Sequence, residues 1–145
     1  MKTIVGGIRD FIKNECPCLD EFYKGIGVDL LGEEAGSYAI ETVPVDPIIK
    51  QYIDGSSERR FSFNFISKKW YGTDAIENIE NIGFFDAFSE WLDECTENQC
   101  FPVVPDGYKV RKIFATTTPY LFDDEADVAR YQIQCQMNYF KPRRN

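Results

Sequence analysis

The candidate reactive side chains weighed in this 145-residue chain are its cysteines and clustered carboxylates, and the sequence contains no histidine. Without histidine, Ser-His and Cys-His nucleophile pairs are excluded and the commonest metal ligand is missing. The segments Cys16-Pro-Cys18 and Cys95-x4-Cys100 hold four thiols that could bind tetrahedral zinc, but neither has the two-residue spacing of a zinc knuckle. We therefore expect no metal site, with Cys95 and Cys135 buried as small apolar residues and the other thiols incidental.

Carboxylates are concentrated on one predicted helix, at Glu90, Asp93, Glu94 and Glu97. These positions lie largely off the apolar stripe of that helix, which is typical of a solvated face rather than of a glycosidase-like acid/base pair in a cleft. The glycine-rich segment 25–32, GIGVDLLG, lacks the lysine and the Ser/Thr of a P-loop and does not match the dinucleotide fingerprint. The sequence thus predicts no cofactor, no catalytic residue and no enzyme activity.

Composition narrows the class of protein. A chain of 145 residues most often forms one domain, and 12 Phe, 8 Tyr and 2 Trp supply bulky side chains for its core. The net charge of -8 argues against a general nucleic-acid-binding protein, since affinity for phosphates comes mainly from Lys and Arg. Five cysteines, an odd number, and an N-terminal apolar patch interrupted by Arg9 and Asp10 favour reduced thiols in a cytoplasm, without a signal peptide or a membrane span.

Residues 129–140, ARYQIQCQMNYF, form the most regular pattern in the chain. Apolar residues from Ala129 to Tyr139 alternate with Arg130, Asn138 and the three glutamines between them, which predicts a strand with one dry and one wet face. At roughly 3.3 Å per residue the strand would be about 40 Å long, whereas a compact protein of this size is only about 38 Å across. Neutral amides on the wet face suit a surface that another chain could cover, so the pattern favours assembly over catalysis.

The other elements follow from apolar spacing and from turn residues. The first half of the chain predicts a helix over residues 3–13, a flexible loop over 25–37, an edge strand over 38–43 that ends at Pro44, and a hairpin over 48–66 that turns at Asp54-Gly55. The second half predicts a helix capped at Asp74 and kinked or broken at Gly83, a strand after residue 107, an acidic loop over 123–127, the long final strand and a flexible basic tail over 141–145.

Together these elements predict a single α+β domain over residues 1–145, with a mainly antiparallel or mixed sheet of four to five strands and helices packed on one face. Its core is expected to join the dry faces of the hairpin and the final strand to the second helix. The residues expected in this core are Phe61, Phe63, Phe65, Tyr131, Ile133 and Met137 on the strands, and Phe88 and Trp91 on the helix.

Charged and amide side chains on the strands are the candidate contacts between copies. Lysines on edge strands usually prevent aggregation. In the functional alternative, basic side chains meet acidic surfaces of neighbouring copies in a ring. The candidate interface residues are Arg59, Arg60, Asp123, Asp124, Glu125, Asp127, Arg130, Gln132 and Gln134.

Three segments carry, by their order and spacing, a resemblance to a known family. They are KQYIDGSSERRFSFNFISKKWYGTD at 50–74, ENIENIGFFDAFSEWLDE at 77–94 and ARYQIQCQMNYF at 129–140. Together they resemble the tail-terminator, or tail-to-head joining, proteins of siphophages, the tailed bacteriophages with long non-contractile tails; these proteins are often labelled minor capsid proteins. The resemblance covers roughly residues 38–140, and the Cys16-Pro-Cys18 segment and the loop at 95–104 lie outside its pattern.

The resemblance implies an α+β subunit that assembles into a homo-oligomeric ring, typically a hexamer. In that family the ring caps the finished tail tube and joins it to the head, so the implied partners are the phage major tail (tube) protein and the head-tail connector protein. The implied location is the head-tail junction of the virion, after assembly in the cytoplasm of the bacterial host. No catalytic residue is implied, and DNA would pass through an acidic lumen without sequence-specific binding.

Two other classes of protein remain open. An acidic inhibitor or immunity-type protein would share the negative charge and the missing active site, but it would be monomeric until it meets a basic target. A small thiol-dependent enzyme would need a cysteine with a depressed pKa. The mass of the free protein separates a ring former from a monomer.

Overall fold

The structure is a computed structural model that describes residues 3–17, 19, 25–29, 37–70, 75–125 and 128–144. The helices of this described part are α1 (Ile4–Glu15) and α2 (Ala75–Glu97). Its strands are β1 (Ile26–Val28), β2 (Tyr38–Val43), β3 (Ile48–Gln51), β4 (Ser57–Trp70), β5 (Lys109–Ala115), β6 (Tyr120–Glu125) and β7 (Val128–Lys141). The α+β class and the mixed sheet therefore agree with the prediction.

Two strands of 14 residues each form the spine of the sheet. β4 and β7 pair antiparallel along their whole length, from Ser57 opposite Lys141 to Trp70 opposite Val128. β2 and β3 pair with the other edge of β4, and β5 and β6 pair with the other edge of β7. The alternation at 129–140 thus correctly predicted β7, one of the two longest described strands.

Across the described residues the sheet has seven strands rather than four to five, because two short strands form where the sequence predicts loops. β1 lies within the predicted loop over 25–37 and pairs in parallel with β2. β6 lies where an acidic loop is expected and pairs with β7. Both strands form because the edge of a longer neighbour supplies their hydrogen bonds. The strand signal in their own residues is weak. The rest of the predicted flexible loop, residues 30–36, lies outside the described residues, and the first residue of the predicted tail, Lys141, belongs to β7.

The prediction that β2 is an edge strand is wrong. β2 ends before Pro44 as expected, but it lies between β1 and β4. Beyond β1, the side chain of Asp29 continues the pairing, because its Oδ1 accepts hydrogen bonds from the Thr42 backbone N–H at 2.8 Å and from the Thr42 hydroxyl at 3.1 Å. β3, which follows Pro44 and Pro47, is instead at an edge of the sheet, because among the described strands it pairs only with β4.

Helix α2 continues through Gly83, so the predicted break there is wrong. Glycine in a helix interior costs about 1 kcal/mol. The residues that follow it outweigh this cost, because Phe85, Phe88 and Leu92 are completely buried and each such side chain contributes roughly 1.5–3 kcal/mol. The predicted cap, Asp74, lies outside the described residues. Within the described part of the chain, neither helix is long and apolar enough to span a membrane.

The apolar core joins α2 to the dry face of the spine. Phe63 and Phe65 of β4 are completely buried, and the ring of Phe88 stacks on Phe65 with centroids 4.4 Å apart. Helix α1 joins this core through Phe11, whose ring stacks on Trp91 at 5.1 Å. Seven of the eight predicted core residues belong to this buried cluster, which confirms that part of the prediction, and the eighth, Phe61, is half-buried and packs against it. The placement of both helices on a single face stays a prediction.

Candidate interaction surface

A group of exposed apolar side chains lies on β3, the segment just before it and the turn that follows it. We call residues 45–56 the edge hairpin. All four residues of β3 are exposed, and the exposed fractions of Val45, Ile49 and Ile53 are 42%, 43% and 107%. Ile48 and Tyr52 are exposed as well. Single exposed apolar residues are common, but five of them within residues 45–53 are typical of an interaction site.

The turn holds Ile53 at the tip of the edge hairpin through a small set of hydrogen bonds. The backbone N–H of Tyr52 donates to the Ser56 carbonyl at 2.9 Å, and the backbone N–H of Ser56 donates to Asp54 Oδ1 at 2.9 Å. The Ser56 hydroxyl also donates to Asp54, and these bonds lower the pKa of that carboxyl. Gly55 adopts φ 93°, a conformation that favours glycine. The Asp54-Gly55 signal therefore predicted this turn correctly.

The end of the sheet next to the edge hairpin is basic. We define the basic end as residues 44–60, 105–112 and 138–144, which the register brings together because Arg59 pairs with Tyr139 and Lys109 pairs with Phe140. Its cations are Lys50, Arg59, Arg60, Lys109, Arg111, Lys112, Lys141, Arg143 and Arg144. These nine cations and four carboxylates give a net +5, so the other residues must carry -13 to reach the chain total of -8. One copy therefore offers charge of both signs to another.

The predicted interface residues fall at opposite ends of the spine. Arg59 and Arg60 lie half-buried in the basic end, and within the described residues Arg60 Nε is buried without a hydrogen-bond partner. Asp123 pairs with Arg130, which lies nine residues along β7 from the partner of Arg59. At roughly 3.3 Å per residue this separation is about 30 Å. Arg59 and Asp123 therefore do not meet within one chain, and a contact between them requires two copies.

The structure describes only some of the other acidic residues that were predicted at the interface. Asp124 and Glu125 lie in β6, where their backbones stand opposite Ala129 and Val128. They belong to a strand and not to the expected loop. Asp127 lies outside the described residues.

Side chains on the wet face of β7 already form hydrogen bonds and an ion pair within the same chain. Arg130 donates to Glu41 Oε2 at 2.8 Å, and the side-chain amides of Gln132 and Gln134 donate to the Tyr120 hydroxyl at 2.6 and 3.3 Å. Gln132 is only 3% exposed, whereas Arg130 and Gln134 are half-buried. The network leaves Arg130 and Gln134 partly accessible to a second chain, and their role in an interface stays a prediction.

Burial does not activate Cys95 or Cys135 as a nucleophile. Desolvation raises the pKa of Cys95 to about 11, with smaller contributions from Cys100, Glu94 and Glu15. Burial raises the pKa of Cys135 as well. Both shifts lower the thiolate fraction, whereas thiol catalysis needs the opposite shift. Across the described residues, no group of three Cys, Asp or Glu side chains is arranged to hold a metal ion.

Alkylation of the dilute native protein by iodoacetamide should modify Cys100 first and leave Cys95 and Cys135 unmodified. Cys100 is exposed, whereas the other two thiols are buried and poorly ionised. Mass spectrometry of peptides after timed labelling measures the three rates, and protein unfolded in urea provides the control. Native labelling of Cys95 as fast as that of Cys100 would contradict this placement and would favour a thiol-dependent enzyme.

A cavity of about 500 Å³ lies between α1 and the segment that follows α2. From the helix, the lining includes two glycines, polar side chains and the ring of Phe11. The segment after α2 contributes Cys100, Phe101 and Val103. Gly7 lies so close to this segment that a Cβ there would stand 2.1 Å from the Val103 carbonyl oxygen. Gly6 and Gly7 are consecutive in the sequence, although glycine is unfavourable inside a helix. The pair was the available signal for a close backbone approach.

No protein-family model matches this chain, and no curated protein matches it. Three features of the molecule bear on its function. They are the edge hairpin, the separation of charge between the basic end and the rest of the chain, and the cavity beside α1.

Proposed function

We propose that this chain is a structural subunit of a siphophage tail terminator, which forms a ring that caps the tail tube and joins it to the head connector. The observation that carries the proposal is the edge hairpin, where five exposed apolar residues surround a strand paired on one side. Exposed apolar groups of this kind and strands with an unpaired edge both favour contact with another chain. The resemblance of residues 38–140 to tail-terminator proteins supports this kind of assembly.

The charge distribution supports contact between unlike surfaces of identical copies. A basic end of +5 and a remainder of -13 attract each other between copies, although the chain as a whole is acidic. A contact between two different surfaces repeats from copy to copy and closes into a ring when the rotation allows it. The proposed ring is a hexamer, with the tube protein and the connector protein as its partners at the two ends.

The proposed ring also accounts for the passage of DNA. Its lumen is formed by the acidic remainder of each copy, which repels phosphates and prevents DNA from adhering. The paired 14-residue strands β4 and β7 supply a continuous block that keeps the subunit rigid around the lumen. The chain has no catalytic role in this proposal and needs no cofactor.

Light scattering on the purified protein at rising concentration should show a mass that approaches a ring, and Ile49→Asp should shift the population to monomer. The substitution places a charge in the middle of the exposed edge strand, where association would have to desolvate it. Ile79→Asp is the matched control, because Ile79 is 68% exposed on α2, away from the edge hairpin. Equal masses for the two variants would contradict the role of the edge hairpin.

Complementation tests the biological assignment. Phage lacking this protein should make tails of uncontrolled length or tails that stay unattached to heads, and the wild-type gene supplied in trans should restore joined particles. Normal tails joined to heads in its absence would refute the assignment. A protein that stays monomeric at every concentration and binds a basic protein partner would favour the acidic inhibitor instead.

A further inference from the structure

We propose that Ile53, at the tip of the edge hairpin of one copy, inserts into the cavity beside α1 of the next copy. This inference rests on the ring proposed above and names the contact that builds it. The contact joins two different surfaces, the hairpin tip on one copy and the cavity on its neighbour. Such a head-to-tail contact is the kind that generates rings.

The tip has the properties of an inserting residue. Ile53 has an exposed fraction of 107%, so its whole side chain is open to a partner. Hydrogen bonds of Tyr52, Asp54 and Ser56 already fix the turn, so association costs it little further conformational entropy. A side chain that is presented by an ordered turn binds at a lower entropic cost than one on a mobile loop.

The cavity has the properties of an acceptor. Its volume of about 500 Å³ lies within the range of protein binding pockets. Phe11, Phe101 and Val103 supply apolar lining, and Gly6 and Gly7 leave one wall without side chains. A branched aliphatic side chain fits such a lining because it has no polar atom that would need a partner there.

The charges around the tip and the cavity are complementary. The exposed residues Asp10 and Glu15 border the cavity, and Asp10 also forms an exposed pair with Arg9 at 3.2 Å, a pairing that contributes little. The carboxylate of Asp54 in the tip is bound by Ser56 within the turn. Two cations flank the tip, Lys50 of β3 and Arg143, whose Cβ would lie 3.4 Å from a Cβ at Gly55. Opposite charges around an apolar contact favour this register over alternatives that bring like charges together.

The cavity contains its own reporter for this contact, because the exposed thiol of Cys100 lies in its lining. We expect Ile53→Cys, oxidised with copper phenanthroline, to form disulfides between the introduced thiol and Cys100 of the next copy. The oxidant removes two electrons and the thiols release two protons to solvent. A disulfide forms only where the two Cα atoms come within about 7 Å, so it reports insertion of the tip. Non-reducing gels should show a ladder of covalent oligomers that disappears on reduction.

Three controls isolate the contact. The wild-type chain shows the background from native cysteines, Ile79→Cys tests another exposed position, on α2, and Ile53→Cys combined with Cys100→Ser removes the acceptor thiol. Each control should lack the ladder. Peptide mass spectrometry should identify the linkage between positions 53 and 100.

The outcomes separate this inference from the proposed function. A ring mass in light scattering without a linkage between positions 53 and 100 would overturn the inference and leave the ring intact. A linkage from tip to tip, or one within a single chain, would also overturn it. A monomer that yields no linkage would contradict both the inference and the ring.

Discussion

Replacing Phe65 by alanine should lower the free energy of unfolding by about 3–5 kcal/mol. Phe65 is completely buried at the centre of the spine. Its ring stacks on Phe88 of α2 at 4.4 Å and on Tyr38 of β2 at 5.6 Å, so it connects two strands to the helix. The truncation removes these contacts and leaves a cavity where three elements meet, which the surrounding residues can fill only in part.

Urea unfolding followed by tryptophan fluorescence measures this loss. Phe61→Ala is the matched control, because Phe61 lies on the same face of β4 but is only half-buried. Phe61→Ala should lower the free energy of unfolding by less than Phe65→Ala does. Phe65→Leu should also lower it by less, because leucine fills part of the volume. A loss below about 1 kcal/mol for Phe65→Ala would mean that the aromatic cluster does not hold the sheet to α2.

The same substitution at two helix glycines should have opposite effects on stability. In Gly7→Ala the new Cβ would stand 2.1 Å from the Val103 carbonyl oxygen and 3.3 Å from its carbon, both backbone atoms. The segment after α2 must then move, at a cost of about 1–3 kcal/mol for overpacking. Gly83 is exposed and a Cβ there meets nothing within 4 Å, so Gly83→Ala should stabilise the protein by about 0.5–1 kcal/mol.

Thermal unfolding of the two variants beside the wild type measures both shifts, and each variant serves as the control for the other. Helix propensity alone predicts that both midpoints rise. If Gly7→Ala were as stable as Gly83→Ala, α1 would not pack against the Val103 carbonyl. The cavity beside α1 would then lack the close wall on which the proposed insertion of Ile53 depends.

Local patterns in the sequence determined the elements whose signals lie within a few residues. Alternation over 129–140 predicted β7, Asp54-Gly55 between two alternating runs predicted the hairpin of β3 and β4, and the apolar spacing over 3–13 predicted α1. These signals depend on side-chain periodicity and on turn chemistry, which are properties of a segment by itself. The α+β class followed from them, because segments of both periods occur in one chain of single-domain length.

The tertiary structure decided what depends on residues far apart in the chain. β1 and β6 exist because a longer strand offers them an edge, and α2 passes Gly83 because the residues after it are buried against the sheet. The cations were visible in the sequence, but only the register of the strands gathers nine of them at one end. The cavity beside Gly7 and the full exposure of Ile53 are likewise set by packing between distant segments. Periodicity reports which face of a segment is apolar, whereas packing decides which other segment covers that face and which side chains stay open to a partner.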